Sequence, residues 1–508
     1  MFFHIESDCS TSTSKISPSS MQPLPSPTLL KHIPNVNLLS ELNSLSENRG
    51  VRLYLVGGSV RDLLLNREIT DLDFAVNRDA IPFAKAYADR TGDTFVKLEE
   101  HPPTARVVIR KTRLTLDFTQ FRGETLEADL QLRDFTINAI AIDLSSLLTQ
   151  PTVKLIDPCG GFGDVEAKRL RFPNPRVVAD DPLRMLRAYR LAAELDFEIS
   201  ESTVNLIRQH KEELSTVSIE RVRDEFIKIL NVKNSAIHLR QMDEIRLLSG
   251  VIPEIEDMRR VQQDDYHGIN VWEFSLTAIS NFEAQPFPDA LHPYRGEVQA
   301  YLDQYIVNGV KRRQIIKLGL MLHDPGIPAM KTINSEDDVQ LLGHEKANAE
   351  IAAGIAKRLR LGKKVVRLIH CLVLGHLQIR NLVSLSPPTR QSMLRFLKNA
   401  DEEWLGVLLL FSAHERATQG RLCPPDELTK IEAVMRNIAD LYYNEISPMI
   451  ERGRLITGHD IIRILGLKPG IRVGHILKHI EALQFEGKIN TPKEALAAAN
   501  RYLEENEA

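Results

Sequence analysis

Cysteine is scarce in this chain: four among 508 residues, Cys9, Cys159, Cys371 and Cys423, far apart and with no C-x-x-C pair. That excludes a disulfide-built scaffold and the common zinc spacings, and it fits a reducing compartment. Long apolar runs are missing as well; none approaches the ~18–20 residues that a membrane-spanning helix needs. Neither sign of charge dominates. A formal net charge of −4 excludes a globally basic nucleic-acid coat while leaving room for a local basic cleft. Glycine and proline, 26 of each, are too few for a collagen-like or wholly disordered chain. What remains is ordinary globular composition, 43% apolar and 26% charged, in a chain long enough for about three domains.

Residues 1–35 open with a Ser-, Thr- and Pro-rich tract. It lacks the apolar surface to offset the entropy of ordering, so a disordered extension is expected there. Met1–Phe2–Phe3 runs straight into His4, Glu6 and Asp8, which leaves no apolar core for a secretory signal. The segment is also neither Arg-rich nor acid-poor, as transit peptides are, and a cytoplasmic protein is expected. Between residues 36 and 150 the runs VRLYLVGG, DLDFAV, ARVVIR and LTLDFTQF have strand length, with helical SVRDLLLN and AIPFAKAYADRTG between them. The alternation predicts an α/β domain on a small mixed sheet. After Pro182 apolar residues recur at helical spacing and strand signals nearly vanish, so the remainder reads as largely all-α. Joints are expected near Pro151, at 232–237 and at the CPP of 423–425.

The stretch richest in chemistry is LYLVGGSVRDLLLNREITDLDFAV, residues 53–76. A strand ends at Gly57–Gly58 and a helix begins within SVRD. Such a turn lets backbone N–H groups approach a phosphate without interference from Cβ, at a helix end that favours the anion. Arg61, in the first helical turn, is placed to reach the same phosphates. Asp71 and Asp73 stand at i and i+2 of the next strand and therefore share a face. Paired carboxylates are the oxygen donors Mg²⁺ takes, and ions held so clamp an in-line phosphoryl displacement. Alone, a strand-ending GG is usually a tight turn and D-x-D usually a solvated strand face; together in one α/β unit they carry far more. Asp117, in LTLDFTQF, is a candidate third carboxylate, about equally well explained as an outward polar residue.

At these residues the segment resembles motif A of the nucleotidyltransferase superfamily, and more narrowly of the bacterial class II tRNA nucleotidyltransferase/poly(A) polymerase family. LRDFTINAIAID, 132–143, would by residue type alone be a helix start at Asp134 and Thr136. It nevertheless resembles motif B, which implies Arg133, Asp134 and Asn138 at the nucleotide sugar and phosphates, with Leu132 where the family often has a second Arg. LIDPCGGFGDVEAKRLRF, 155–172, is similar to motif C, a connector hinged on Gly160, Gly161 and Gly163, with Asp164 a candidate cap for the following helix. Asp180–Asp181–Pro182–Leu183–Arg184 resembles motif D, implying that Asp181 and Arg184 hydrogen-bond the edge of the incoming base. An acceptor beside a fork of donors suits that task. Arg187 and Arg190 continue the three-residue spacing from Arg184, in isolation a basic solvated helix face, and the resemblance adds both to the expected nucleotide-binding residues. SIERVRDEFIKIL, 218–230, resembles the structural motif E.

Further on, LGLMLHDPGIP and GHEKANAEI resemble an HD domain, a metal-dependent phosphohydrolase module, implying His323, Asp324 and His344 as ligands. Departures stand out: Phe274 occupies the place of the first metal-binding His, His414 that of a late Asp, and Ile327 that of a Lys. A phenyl ring does not ligate a metal, so a degenerate site in a helical spacer is expected. His370 and His376 are either surviving ligands or polar residues on a helix. The tail from LITGHDIIRILGLKPG onward resembles the segment that contacts tRNA in the same enzymes. Its Gly458, Gly466, Gly470 and Gly474, with Lys468, Arg472, His475 and Lys478, would suit helix N-termini meeting phosphates. RLRLGKKVVR, 358–367, would add to a positive strip.

The resemblance thus implies an α/β nucleotidyltransferase head (36–150), a helical neck that selects the nucleotide (151–235), an HD-like helical body (236–422) and a helical RNA-contacting tail (423–508). The implied activity is template-independent addition of C and/or A to the 3′ end of tRNA with release of pyrophosphate. Mg²⁺ would be the cofactor and CTP and/or ATP the substrates, with neither membrane nor protein partner. FTQFRGETLEADLQLRDFT links the strand of Asp117 to motif B, where the family has a flexible loop that helps the switch from C to A. Its brevity tips the expectation towards CC addition. A poly(A) polymerase is the alternative, disfavoured by the ending NRYLEENEA; an HD-type phosphohydrolase is the second, disfavoured by Phe274 and His414.

Overall fold

Six strands carry the first part of the chain: β1 (Leu53–Val56), β2 (Asp71–Val76), β3 (Thr94–Glu100), β4 (Pro103–Val108), β5 (Thr115–Gln120) and β6 (Ala141–Asp143). They lie in the order β3-β4-β5-β2-β1-β6; β2 and β5 run parallel and every other neighbouring pair antiparallel. The computed structural model describes residues 23–261, 270–307, 309–326, 344–385, 387–418 and 425–507. The chain divides into two units, residues 1–213 and 214–508, so the division falls within the segment expected as the neck.

The small mixed sheet is as expected, and its alternation sets what each face does. Leu72 and Phe74 of β2 are buried, with Phe74 stacked on Phe118 of β5 at 5.2 Å and Phe118 meeting Phe83 of α2 (Ala80–Thr91) at 5.5 Å. Asp71, Asp73 and Ala75 therefore take the other face. There Ala75 joins a smaller core of Val56, Leu126, Leu130, Ala139 and Ala141. A slip of one residue in β2 would put Leu72 and Phe74 in the cleft and both carboxylates in the core, so burial itself fixes the register. The glycine turn opens α1 (Gly57–Leu64), two residues earlier than SVRD. α3 (Leu126–Gln131) and α4 (Arg184–Leu195) complete the surroundings of the cleft.

Three expectations need correction in this unit. Strand β3, TFVKLEE, was unforeseen: it is the exposed edge of the sheet, without the alternation that would announce it. The expected disordered stretch 1–35 holds structure from residue 23 onward. Leu24–Pro25 pairs with Thr152–Val153, and Leu29 and Ile33 are buried; residues 1–22 lie outside the described residues. Asp164 is not a helix cap. Asp157 performs that task, its carboxylate accepting from Gly161 N at 2.8 Å and Phe162 N at 2.9 Å. Asp164 is buried and accepts from Thr136 Oγ1 (2.7 Å), Arg169 Nε (2.7 Å) and Arg171 Nε (3.0 Å). Gly161 also serves packing: a Cβ there would lie 2.0 Å from the Thr136 carbonyl oxygen, so the short helix 161–166 sits directly on the turn of motif B.

Among the described residues the second unit is helical apart from a hairpin, Tyr305–Val307 with Val310–Lys311. Motif E forms α5 (Ile219–Asn231), whose inward face buries Val222, Phe226, Ile229 and Leu230. Around α6 (Val271–Ala284), α7 (Arg312–Met321), α8 (His344–Arg358), α9 (Lys363–Ser384) and α10 (Trp404–Thr418) the core contains Trp272, Phe274, Leu318, Leu372 and Phe411. The chain ends in α11 (Gly458–Leu465), α12 (Ile471–Phe485) and α13 (Pro492–Glu507), closed over Ile461, Ile476, Ile480 and Ala499.

Of the four tail glycines, Gly458 and Gly470 stand at helix N-termini, whereas Gly466 closes α11 at φ +66° and Gly474 lies inside α12. The cations of 358–367 are less available than expected, since Arg358 pairs with Glu254, Arg360 with Glu220 and Arg367 with Asp401. Ile327, Cys9, Cys423 and the side chain of His344 lie outside the described residues. Among the described residues no helix is long and apolar enough to cross a membrane.

Candidate active site

Sheet register brings the acidic residues together. Asp73 on β2 is the direct neighbour of Asp117 on β5, and Asp117 in turn faces Arg106 on β4. Asp71, two residues before Asp73, contacts Thr115 Oγ1 on β5. The glycine turn lies against this row. A Cβ on Gly57, whose φ is +69°, would come 3.0 Å from Asp73 Oδ2 and 3.3 Å from an Arg133 guanidinium nitrogen. Both the backbone angle and the space therefore call for glycine. Ser59 stitches turn to strand: its Oγ accepts from Asp73 N at 2.7 Å and donates to the Asp71 carbonyl at 3.1 Å. Burial, followed by repulsion from Asp117, pushes the Asp73 carboxyl up to about 6.

Asp117 is not free to ligate as it stands. Arg106 Nε and a terminal nitrogen hold its two oxygens at 2.7 Å each, a bidentate pair. The donor set suits Mg²⁺, since all three groups are carboxylates on one sheet face. The guanidinium supplies beside Asp117 the positive charge that an ion would bring.

Beyond the carboxylates opens a cavity of about 260 Å³ lined by Gly57, Gly58, Asp73, Thr119, Arg122, Arg133, Asp134, Asn138, Arg184 and Arg187, among others. Four guanidinium groups thus face one carboxylate row. Arg133 is braced by Asp129, which accepts from Nε and a terminal nitrogen at 3.1 Å each. Asp129 also accepts from Arg122 N at 3.1 Å. Burial and the neighbouring Arg133 lower the Arg122 guanidinium below its ordinary value, with Asp129 and Asp134 offsetting only part of this. Burial raises the Asp134 carboxyl, but Arg187, Asn138 and Arg184 more than offset this and leave it below the usual carboxylate range. Arg61 enters indirectly, donating to Asn138 Oδ1 at 2.9 Å while Asn138 Nδ2 donates to Asp134 Oδ1 at 3.0 Å.

Of the expected site residues, Gly57, Gly58, Asp73, Arg133, Asp134, Asn138, Arg184 and Arg187 line this one cavity. Asp71, Asp117 and Arg61 adjoin it through the contacts above. Arg184 donates to the Val177 carbonyl at 3.1 Å, and Asp181, in the turn before α4, accepts from Leu183 N at 3.3 Å. Arg190 is directed along α4 to Glu194, at 2.6 Å, away from the cavity lining. Sequence reasoning missed Ser59, Arg106, Arg122 and Asp129. Only Asp129 carried a signal, its i, i+4 spacing to Arg133.

In the second unit His323, Asp324 and His414 come together, with His376 beside them. His370 does not join this group; it lies 3.8 Å from Glu350.

Comparison with known proteins bears on this geometry. A CC-adding tRNA nucleotidyltransferase of Geobacter sulfurreducens is 31% identical over 470 residues, covering 92% of this chain and 94% of that protein. The chain belongs to the tRNA nucleotidyltransferase/poly(A) polymerase family. The family description "Poly A polymerase head domain" matches residues 53–171, and "Probable RNA and SrmB- binding site of polymerase A" matches 196–259. An A-adding tRNA nucleotidyltransferase of Deinococcus radiodurans is 29% identical, covering 89% of this chain and 95% of that protein. Among solved structures, the Thermotoga maritima CCA-adding enzyme complexed with tRNA has a TM-score of 0.61 at 23% identity, covering 95% of this chain and all of that one. That likeness establishes a common fold. Nucleotidyltransferases of this type work with divalent metal ions.

Proposed function

We propose that this protein adds C residues to the 3′ end of tRNA without a template, releasing pyrophosphate, and stops at CC. The observation that carries the reading is the seat of Asp73: a strand carboxylate pressed on the Gly57–Gly58 bend, beside Asp71 and under four arginines. Asp71 and Asp73 would hold Mg²⁺, which supplies charge neutralisation on the triphosphate and a more acidic RNA 3′-hydroxyl. Arg133, fixed by Asp129, and Arg122 bind phosphate oxygens, their charges matching a triphosphate's. Asp134, kept ionised by Arg187 and Asn138, orients the sugar edge of the cavity. Arg184 offers donors to the base, with Asp181 at the head of the same helix.

Two things favour CC over complete CCA. Residues 121–125 alone join β5 to α3, leaving no room for a mobile loop. Relatives from Geobacter sulfurreducens and Synechocystis, each 31% identical, are both CC-adding tRNA nucleotidyltransferases.

The test uses tRNAs ending at the discriminator base, at C and at CC, each given CTP or ATP alone. CTP should be incorporated into the first two, and ATP into none. Incorporation of ATP on the CC-ended tRNA would refute the CC restriction; runs of A on an unstructured RNA would favour a poly(A) polymerase instead.

A further inference from the structure

A cavity of about 610 Å³ in the second unit has no part in the site described above. One face of α9 forms a wall of it, with Lys364, Arg367, Cys371 and Gln378 recurring at helical spacing. The other walls are residues 304–306, which lead into the hairpin, Arg312 at the start of α7, and residues 399–403. Asp401, at the corner of that last wall, has φ +52° and ψ −134°, a backbone region that favours glycine. Strain of this kind persists only where the surrounding structure enforces it, and it gathers where proteins hold ligands.

The polar groups inside divide into engaged and free. Buried Arg312 stacks on the Tyr301 ring at 4.6 Å, donates from Nε to Gln304 Oε1 at 3.1 Å and pairs with Glu403 Oε2. Tyr301 donates its hydroxyl to the same oxygen at 2.7 Å. Both donors thus occupy Oε2, and Glu403 Oε1 has no partner among the described residues. Burial pushes the Glu403 carboxyl above its ordinary value, and Tyr301 and Arg312 offset only part of this. An N–H donor brought to Oε1 would therefore stabilise the charged form. The side-chain amides of Gln378 and Asn399 also make no hydrogen bond among the described residues. Lys364, in the first turn of α9, has no ion-pair partner among them either, while Arg367 beside it is exposed, 3.6 Å from Asp401.

We propose that this cavity binds one nucleotide whose base carries an exocyclic amino group, adenine or cytosine, as a second nucleotide site separate from the one beside Asp73. The amino N–H donates to Glu403 Oε1. The amides of Gln378 and Asn399, each both donor and acceptor, pair with the remaining polar atoms of the base edge. The phosphate lies at Lys364 and Arg367, at the end of α9 whose dipole favours an anion. Simpler ligands fit less well. A bare cation is repelled by Arg312, Lys364 and Arg367, and a bare phosphate uses neither the amides nor the unpaired carboxylate oxygen. The volume lies within the range of sites that take ligands of nucleotide size.

Calorimetry on the full chain in excess EDTA, without tRNA, tests this with AMP, CMP and UMP as probes. AMP and CMP are expected to bind, and UMP at least about tenfold more weakly, because its carbonyl would face the Glu403 carboxylate. Lys364→Ala and Asn399→Ala, both at exposed positions, should each weaken AMP binding about tenfold. Arg133→Ala, in the cavity of the first unit, should leave it unchanged. Loss of AMP binding in Arg133→Ala, UMP binding as tight as AMP, or AMP binding intact in both Lys364→Ala and Asn399→Ala would overturn the inference. A second readout needs no variant: AMP should slow hydrogen exchange in residues 301–307 and 398–404, whereas protection confined to 53–76 and 119–138 would overturn it. A free nucleotide and the end of an RNA share this chemistry, and the trinucleotide CCA separates them. Displacement of AMP by CCA supports the site with an RNA end as occupant; AMP left in place supports it with the free nucleotide.

Discussion

The acidic row of the first unit and the histidine cluster of the second sit in opposite surroundings. Asp71 and Asp73 offer oxygen on a strand face that opens into a cavity of arginines, and the turn that lies against Asp73 is a glycine with no side chain at all. His323 and His414 offer nitrogen in a closed core, and their neighbour is a phenylalanine. Each neighbour sets access. On the proposed function, Gly57 would leave room for a phosphate to approach the carboxylates, so that an ion held there would meet substrate. Phe274 fills the corresponding room beside the imidazoles.

The contrast breaks most sharply on the carboxylates. Asp71→Ala should lower CTP incorporation by at least about 10³-fold, the scale of losing a metal's charge stabilisation, while tRNA binding in a filter assay stays near wild type. Next in size is the scaffold beneath the cleft. Gly161→Ala drives a methyl group into the Thr136 carbonyl and should destabilise the protein by about 3 kcal/mol, seen in urea unfolding. Gly163→Ala, which meets nothing within 4 Å, should leave the midpoint unchanged or slightly higher. Smaller again, Asp129→Asn removes the charge that braces Arg133 and should raise the KM for CTP about tenfold with kcat less affected, since a hydrogen bond to a charged group contributes ~1.5 kcal/mol. The smallest effect belongs to the Arg106–Asp117 pair, whose arginine is 40% exposed. Arg106→Gln should cost less than about 1 kcal/mol of stability and should tighten Mg²⁺ binding, because Asp117 is released to the ion.

What the sequence discloses about this site depends on distance along the chain. Asp71 and Asp73 are two residues apart on one strand, and Gly57–Gly58 ends the strand before them, so pattern alone places them together. Arg106 reaches Asp117, and Ser59 reaches the backbone of Asp71 and Asp73, only through strand register and a turn that no local signal specifies. β3 escaped notice because an exposed, charged edge strand has no buried face to impose alternation. Leu24–Pro25 looked like part of a disordered tail because a two-residue pairing leaves almost no trace in composition. The histidine cluster gathers residues from three separate stretches of helix and loop, so His414 read only as a departure from a pattern. The helical body was legible from periodicity, whereas the ion pairs that occupy Arg358 and Arg360 were not.

The measurement that bears most directly on the seat of Asp73 is Mg²⁺ binding to the tRNA-free protein by calorimetry as a function of pH. In the metal-free fold the Asp73 carboxyl is pushed up to about 6; above that pH it is charged and ready to ligate, and below it the ion has to displace a proton. Full affinity above about pH 7, weakening as pH falls through 6 and abolished in Asp73→Asn with the unfolding midpoint unchanged, is the predicted result. Mg²⁺ binding that is insensitive to pH across that range and intact in Asp73→Asn would contradict it.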